Sequence, residues 1–327
     1  MKHSVVDARH ARIELVEEGE GPVVLLVHGF PESWYSWRHQ IPVVAEAGYR
    51  AVAIHVRGYG RSSSPIEVEA YSMLQHVSDN LGVLEALGVE NCIVIGHDWG
   101  SPIAANSALL RPDVFRAVGL LSVPYSPPGG RKPTEVFDGF GAAVGEEFYI
   151  NYFQQPGRAE AEAELDVRGW LQGFYVAASG DGGPAADGGT IASVKPGHML
   201  RERFPAIENL PAWLTEEDLD FYTSQFEATG FRGALNRYRN VDRDWMDLQP
   251  WRNRPIEVPA IFIGGEKDGP TIWGANSIER HKVTLPLCSG NHILPGCGHW
   301  VQQERADDVN RLLLDWLSSL PSPPGGP

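Results

Sequence analysis

Cysteine is scarce in this chain, and no apolar run is long enough to cross a membrane. Its three cysteines, Cys92, Cys288 and Cys297, lack the CxxC spacing of a redox or zinc motif. An odd, dispersed set is typical of reduced thiols, so we expect a cytoplasmic protein. Residues 1–12 lack the apolar core of a signal peptide, and no segment reaches about 18 consecutive apolar residues. We therefore expect no membrane insertion.

Basic residues are also few. Lys and Arg together number 27 against 42 Asp and Glu, which gives a formal net charge of −15. Such a field repels nucleic acid and anionic membranes, and it does not favour an anionic substrate. The 11 histidines show neither HExxH nor another clustered metal spacing, so we expect no metal. With 43% apolar and 21% charged residues, the composition is that of a globular chain.

Strand-like and helix-like segments alternate through the first part of the chain and again near its end. Continuous apolar runs, typical of buried parallel strands, end in glycine-containing loops and are followed by helical patterns. The predicted strands cover residues 22–27, 50–54, 92–95, 117–124 and 258–265, and the predicted helices cover 41–47, 72–87, 101–110 and 306–317. This order predicts an α/β fold, a mostly parallel sheet flanked by helices, with its active site at the carboxyl ends of the strands.

The alternation is interrupted after Pro124. Residues 125–246 lack strands rich in Val and Ile, and they contain aromatic residues, helical stretches and loops instead. The economical interpretation is a core interrupted by an insertion. We therefore predict that residues 1–124 and 247–327 form the core and that residues 125–246 form a mainly helical cap.

Two segments have the composition of loops. Residues 179–190 are rich in glycine, and we expect this stretch of the cap to be mobile. The tail over residues 321–327 consists of Pro, Gly and Ser, and we expect it to be disordered. The sequence leaves the oligomeric state open.

The most informative stretch is Gly96-His97-Asp98-Trp99-Gly100, which joins a predicted strand to a predicted helix. This is the context of a nucleophile elbow, Gly-x-Ser-x-Gly, with aspartate in place of serine. The glycines suit a tight turn with close approach of strand and helix. A carboxylate in this position can displace a leaving group at a saturated carbon and become an alkyl ester. Taken alone, Asp98 could equally cap the next helix.

An ester on Asp98 has to be hydrolysed again. This requires a base for water, a group that orients the base, and donors for the oxyanion. His299 lies in a glycine-flanked loop and Asp268 follows a predicted strand, so the chain order is nucleophile, acid, histidine, as in α/β hydrolases. The predicted oxyanion donors are the backbone N–H groups of Phe30 and Trp99. A loop histidine or a turn aspartate alone has a structural explanation, but three matches in order favour catalysis.

Several motifs together resemble the α/β-hydrolase-type epoxide hydrolases. They are HGFPESW at 28–34, WR at 37–38, RGYGRS at 57–62, GHDWG at 96–100, and the loops around Asp268 and His299. The similarity extends over residues 10–318. It implies the α/β-hydrolase fold, and conversion of an epoxide to a vicinal diol through a covalent aspartyl ester and without a cofactor.

The resemblance extends to the cap. Members of that family carry two cap tyrosines whose hydroxyls hold and protonate the epoxide oxygen. Segments 148–157 and 235–240 resemble the two tyrosine motifs and point to Tyr149 and Tyr238. A phenol, with a pKa of about 10, can donate a proton to the alkoxide of an opening epoxide. The structural alternative is that both tyrosines only pack.

Two kinds of dehalogenase and a ligand receptor are the alternative functions. Haloalkane dehalogenases share the elbow, but they need N–H donors for the halide, and Phe30 has no side-chain donor. Fluoroacetate-type dehalogenases have arginine after the nucleophile and a His-Trp pair in the cap, where this chain has Trp99 and Ile150-Asn151. A ligand receptor on the same fold is a third alternative, although it would not need all five predicted catalytic side chains.

The aromatic residues near these motifs predict an apolar pocket. Phe30, Trp99, Phe148 and Trp300 are its predicted lining, which favours a small apolar aryl or alkyl epoxide, with water as the second reactant. One position departs from the family pattern Asp-x-Arg-Gly-x-Gly, because His55 replaces its aspartate. The change removes a charge next to a loop and bears on loop geometry rather than on the reaction.

Overall fold

An eight-stranded sheet forms the centre of the protein, and its first six strands precede the insertion. The computed structural model describes residues 1–183, 185, 188–207 and 209–321. The elements of the first part are β1 (Lys2–Ala8), β2 (Ala11–Glu18), β3 (Val23–Val27), α1 (Ile41–Glu46), β4 (Arg50–Ile54), α2 (Met73–Ala86), β5 (Cys92–His97), α3 (Gly100–Leu110) and β6 (Phe115–Leu121).

The inserted segment is mainly helical. It contains seven α-helices and one two-stranded ribbon among its described residues. These elements are α4 (Pro133–Ala142), β7 (Glu147–Phe148), α5 (Tyr149–Tyr152), α6 (Arg158–Ala163), α7 (Val167–Ala178), β8 (Ser193–Val194), α8 (Glu216–Thr229), α9 (Arg232–Asn236) and α10 (Val241–Asp247). The exact division into a core of residues 1–124 and 247–327 and a cap of 125–246 stays a prediction.

The chain returns to the central sheet after the insertion. Two more parallel strands complete the sheet, and short helices surround the loops that follow them. The elements are β9 (Ala260–Gly265), α11 (Gly269–Trp273), α12 (Ala275–Glu279), α13 (His281–Thr284), β10 (Cys288–Leu294), α14 (Val301–Glu304) and α15 (Ala306–Ser319).

The sheet is parallel over most of its width. The strand order is β1-β2-β4-β3-β5-β6-β9-β10, and every pair from β4 onward is parallel. Only β1 with β2 and β2 with β4 are antiparallel. The predicted α/β-hydrolase fold with a mostly parallel sheet is therefore confirmed. The parallel strands end along one edge, which brings the loops after β3, β5 and β9 together.

Both faces of the sheet are covered, which explains the continuous apolar runs. In β3, Val23, Leu25 and Val27 belong to the hydrophobic cluster of α2 and α3, whereas Val24 and Leu26 belong to that of α1 and α15. Each buried aliphatic side chain of this kind stabilises the fold by about 1.5–3 kcal/mol relative to exposure. The two clusters hold the strand ends, and hence the loops that follow them, in place.

The predicted loops fall partly outside the described residues. In the glycine-rich stretch 179–190, positions 184, 186 and 187 lie outside the described residues, and so do positions 322–327 of the tail. Throughout the described portion of the chain, no helix combines the length and the apolar composition that crossing a membrane requires.

Candidate active site

Asp98 stands on a sharp turn between β5 and α3. Its φ of 51° is in the left-handed region, which a non-glycine residue seldom adopts. The flanking glycines allow this turn, because a Cβ on Gly96 would lie 1.9 Å from the carbonyl oxygen of Gly100. A Cβ on Gly100 would lie equally close to the carbonyl oxygen of Val27. The crossing of strand and helix therefore depends on glycine and presents Asp98 at the carboxyl edge of the sheet.

The two carboxylate oxygens of Asp98 have different surroundings. Oδ1 accepts a hydrogen bond of 2.7 Å from the backbone N–H of Phe30. Oδ2 lies 3.4 Å from Nε2 of His299. The loop after β3 comes this close because it carries glycine, since a Cβ on Gly29 would lie 2.3 Å from Oδ1. One oxygen is thus held by a predicted oxyanion donor, and the other faces the predicted base.

His299 lies beside Asp268, the residue that the chain order predicts as its partner. Nδ1 of the ring lies 2.8 Å from Oδ1 of Asp268, whose side chain is fully buried. The second oxygen of Asp268 accepts from the hydroxyl of Ser122 at 2.7 Å and lies 2.8 Å from that of Thr271. Ser122 also lies 3.0 Å from Nδ1 of His299 and has a φ of 69°. These two hydroxyl residues were missed, because nothing in the sequence distinguishes them from other serines and threonines.

The carbonyl oxygen of His299 is also held. It lies 2.7 Å from Nε2 of His97, the residue before the nucleophile. Nδ1 of His97 lies 2.7 Å from Oε2 of Glu32, and both residues are fully buried. Oε1 of Glu32 accepts from Gln302 at 2.9 Å. A buried polar network thus links the loop after β3, the nucleophile turn and the histidine loop.

Asp98 and His299 form a charged pair. Burial alone would raise the pKa of Asp98, but the hydrogen bond and charge of His299, together with the charge of His97 and the N–H of Phe30, lower it. Burial alone would lower the pKa of His299, but the charges and hydrogen bonds of Asp268 and Asp98 raise it well above its ordinary value. The nucleophile is therefore ionised at neutral pH. Part of the rise for His299 depends on the charge of Asp98.

A cavity of about 330 Å³ opens above this pair. Its lining includes six of the residues predicted for the site, Phe30, Asp98, Tyr149, Tyr238, Asp268 and His299. Charged and aromatic groups from distant parts of the chain thus meet in one concave space, which is the usual arrangement of a small-molecule site.

The two predicted tyrosines come from the inserted segment. Tyr149 begins α5 and Tyr238 begins a 3-10 turn over Tyr238–Asn240, and their ring centroids are 6.2 Å apart. Burial raises the pKa of both phenols, and the nearby charge of Asp98 raises it further. Both hydroxyls therefore keep their protons at neutral pH and can donate hydrogen bonds into the cavity.

Three residues predicted to line the pocket are placed elsewhere. Trp300 is fully buried, and its indole N–H donates to the carbonyl of Tyr175 at 2.8 Å. Phe148 stacks on Phe137 behind the cavity wall. Trp99 packs edge-on against the ring of Tyr238, at 5.1 Å between centroids. Trp99, Phe148 and Trp300 are therefore not among the residues that line the cavity, unlike in the prediction, because each ring packs against neighbouring side chains instead. The cavity instead uses Phe174, Ile191, Ile272 and Trp273.

His55, the departure from the family motif, has an acidic neighbour. Its Nδ1 lies 3.1 Å from Oε2 of Glu14, a residue of β2. Burial alone would raise the pKa of Glu14, but the adjacent imidazole of His55 and hydrogen bonds from Arg61 lower it to about 2. The backbone N–H and Nε of Arg61 both donate to Glu14 at 2.8 Å. A carboxylate from the neighbouring strand therefore supports this loop, although residue 55 itself carries none.

Similarity to other proteins extends over nearly the whole chain. Residues 22–165 match a family with the alpha/beta hydrolase fold. Epoxide hydrolase B of Mycobacterium tuberculosis is 43% identical over 351 residues, which covers 97% of this chain and 98% of that protein. The chain belongs to the epoxide hydrolase family.

Solved structures of other epoxide hydrolases have the same fold. An epoxide hydrolase from an endophytic Streptomyces is 60% identical, with a TM-score of 0.94 over 97% of this chain and 95% of that one. Epoxide hydrolase A from Mycobacterium thermoresistibile is 41% identical, with a TM-score of 0.90 over 98% and 99% of the two chains. Epoxide hydrolysis is therefore supported over the dehalogenase and receptor alternatives.

Proposed function

We propose that this epoxide hydrolase acts through a covalent ester on Asp98. The observation that carries the proposal is the difference between the two oxygens of Asp98. Oδ1 accepts from the N–H of Phe30 at 2.7 Å, while Oδ2 lies 3.4 Å from Nε2 of His299 beside the cavity. A carboxylate held in this way has one oxygen available for attack and one already beside an oxyanion donor.

The first step opens the epoxide. Tyr149 and Tyr238 donate hydrogen bonds to the ring oxygen, and Oδ2 of Asp98 attacks a ring carbon. The bond from Oδ2 to carbon forms as the ring C–O bond breaks, and the released alkoxide takes a phenolic proton. The product of this step is a hydroxyalkyl ester of Asp98.

The second step hydrolyses the ester. Nε2 of His299 takes a proton from water, and the resulting hydroxide attacks the ester carbonyl carbon. The negative charge develops on Oδ1, where the N–H of Phe30 already lies and where we assign the N–H of Trp99 as the second donor. Cleavage of the acyl C–O bond releases the diol oxygen as an alkoxide, which takes the proton of the newly formed carboxylic acid and so restores Asp98 as a carboxylate. Asp268 keeps Nδ1 of the base oriented throughout.

The protonation changes of Asp98 and His299 balance the protons that are transferred in the two steps. Forming the ester removes the negative charge of Asp98, and with it part of the cause that raises the pKa of His299. The imidazolium can therefore give up its proton during the first step, and this proton restores the phenol that protonated the alkoxide. A neutral His299 is then ready to act as a base, and it regains a proton from water in the second step.

The substrate is an epoxide, and we assign it to the small apolar class. The cavity of about 330 Å³ is lined by Phe30, Phe174, Ile272 and Trp273 alongside the catalytic groups. An apolar lining of this kind favours aryl or alkyl substituents. With a net charge of −15 we expect no nucleic-acid partner. All three cysteines are free thiols, which favours a reducing cytoplasmic location.

A single turnover in ¹⁸O-labelled water tests the ester mechanism. With enzyme in excess over styrene oxide, the first diol should contain no ¹⁸O, because its new oxygen comes from Oδ2 of Asp98. The peptide that contains Asp98 should gain 2 Da for each label, and mass spectrometry after digestion measures it. The peptide with Asp268 serves as the control. Label in the diol and none on Asp98 would show direct attack by water and overturn the proposal.

Removing either phenolic hydroxyl should slow the first step. We expect Tyr149→Phe and Tyr238→Phe each to lower kcat/KM for an alkyl epoxide by about 10- to 100-fold, since one hydroxyl remains, and the double variant by about 1000-fold or more. The matched control is Tyr152→Phe, on the same helix as Tyr149. The hydroxyl of Tyr152 donates to Glu162 at 2.6 Å, and Tyr152 does not line the cavity. A double variant with the kcat/KM of the Tyr152 control would remove both tyrosines from the mechanism.

A further inference from the structure

The carboxylate of Glu304 accepts hydrogen bonds from backbone N–H groups on both sides of His299. Glu304, the last residue of α14, accepts from the N–H of Gly298 at 2.8 Å and from the N–H of Trp300 at 3.0 Å. These two residues flank His299. The same carboxylate accepts a third bond, of 2.8 Å, from the N–H of Gly180, just after α7 of the inserted segment.

The backbone segments around Glu304 are in direct contact. A Cβ on Gly298 would lie 2.1 Å from the nitrogen of Gly180, and a Cβ on Gly265 would lie 2.1 Å from the carbonyl oxygen of Gly298. The N–H of His299 donates to the carbonyl of Ala178 at 2.9 Å. We call this meeting point the loop junction, formed by residues 178–180, 265–267 and 296–300.

The loop junction also borders the cavity. Ala177 and Ala178, at the end of α7, line the cavity together with Lys267 and His299. Lys267 crosses the junction, because its ammonium group donates to the carbonyl of Gly180 at 2.6 Å and its backbone N–H donates to that of Cys297 at 2.9 Å. A shift of the junction would therefore move the base and one wall of the cavity together.

The surroundings of Glu304 provide hydrogen-bond donors that stabilise its charged carboxylate. Burial raises the pKa of Glu304, and the N–H groups of Gly298, Gly180 and Trp300 oppose the rise because they stabilise its charged form. Without this acceptor, three N–H groups at a closely packed site would lose their partner. The position therefore calls for a group with two acceptor oxygens.

We propose that Glu304 is a positioning residue for His299, holding the histidine loop and the end of α7 in the geometry that ester hydrolysis requires. The inference rests on the proposed two-step mechanism. Hydrolysis depends on the orientation of the His299 ring relative to a water molecule and the ester carbonyl. Alkylation depends on Asp98 and the two tyrosines, none of which contacts Glu304 through the hydrogen bonds that define the junction.

The test separates the two steps in the variant Glu304→Gln. Glutamine keeps the volume but has one acceptor oxygen, so at least one of the three N–H groups loses its bond. We expect the rate of ester hydrolysis to fall by about 10-fold or more, because small displacements of a catalytic group are costly, while alkylation stays within about two-fold. The reaction with styrene oxide is quenched rapidly during steady-state turnover, and the intact mass of the enzyme is measured. The fraction of alkylated enzyme should be larger than in the wild type.

A matched control removes a carboxylate nearby. Asp307→Asn lies in the first turn of α15, where the side chain is exposed, and should leave both rates unchanged. Glu304→Ala, which removes all three bonds, should slow hydrolysis further. If the alanine variant does not fold, the isosteric glutamine variant still decides the question.

The outcomes distinguish this inference from the mechanism on which it rests. Wild-type rates in Glu304→Gln, or equal slowing of both steps with an unchanged ester fraction, would overturn the positioning role. Failure to detect any ester, even in a variant without the His299 imidazole, would instead remove the two-step mechanism itself. An ester that accumulates in that variant and also in Glu304→Gln supports both.

Discussion

Diol formation should be lost when Asp98 is replaced by asparagine, with kcat/KM falling at least about 10⁴-fold. The amide is neutral and presents no carboxylate oxygen that can displace the epoxide oxygen, so no ester can form directly. Asparagine has nearly the size of aspartate, and its carbonyl oxygen can still accept from the N–H of Phe30 as Oδ1 does at 2.7 Å. The loss should therefore reflect chemistry rather than unfolding. Product analysis by mass spectrometry with styrene oxide measures it.

Two controls accompany this variant. Asp113→Asn removes an exposed aspartate that pairs with Arg111 beyond the end of α3, and it should keep wild-type activity. The intact mass must show that asparagine has not been converted back to aspartate, a change of about 1 Da. Diol formation near the wild-type rate in a verified Asp98→Asn sample would exclude Asp98 as the nucleophile.

Replacing His299 by glutamine should trap the enzyme as its ester. Glutamine cannot accept a proton from water, so we expect ester hydrolysis to slow by about 10³-fold, within the range that a general base contributes. Asp98 forms the new bond in alkylation and the tyrosines protonate the alkoxide, so alkylation should still occur, although the loss of the charged pair and of its proton changes the rate. The measurement is an intact-mass time course. The expected result is one equivalent of adduct with the mass of the epoxide, located on the peptide that contains Asp98.

The control for this prediction is another histidine. His198→Gln changes an exposed residue of the inserted segment that pairs with Glu202, and it should turn over normally. Rapid turnover of His299→Gln without accumulated ester would contradict the assignment of the base. An inactive variant that forms no ester would place the essential role of His299 before ester formation.

The local elements of the site were predictable because their signals are contiguous in sequence. The apolar run before Gly96 predicted the strand that the structure places at Cys92–His97, and the following pattern predicted the helix at Gly100–Leu110. The turn between them follows from close backbone contact at glycine, which is a local property. The roles of Asp98 and His299 in this enzyme remain proposals that the experiments above decide.

Two peripheral strand regions gave weaker signals. The hairpin of β1 and β2 was not predicted, because β1 lies at the edge of the sheet with few buried side chains. Strand β10 lies at the opposite edge and reads Cys-Ser-Gly-Asn-His-Ile-Leu, with little apolar content. An edge strand has one neighbour and needs fewer apolar residues, so its pattern resembles that of a loop.

The sequence by itself determined the alternation of the central strands with helices, the glycine-bounded elbow and the family motifs, since each depends on neighbouring residues. Only the tertiary structure decided which aromatic rings face the cavity, placing Trp273 in its wall and Trp300 behind it. It also decided that Ser122 and Glu304 support the histidine loop. The direction of a side chain depends on contacts with residues far away in the chain, and no local pattern contains that information.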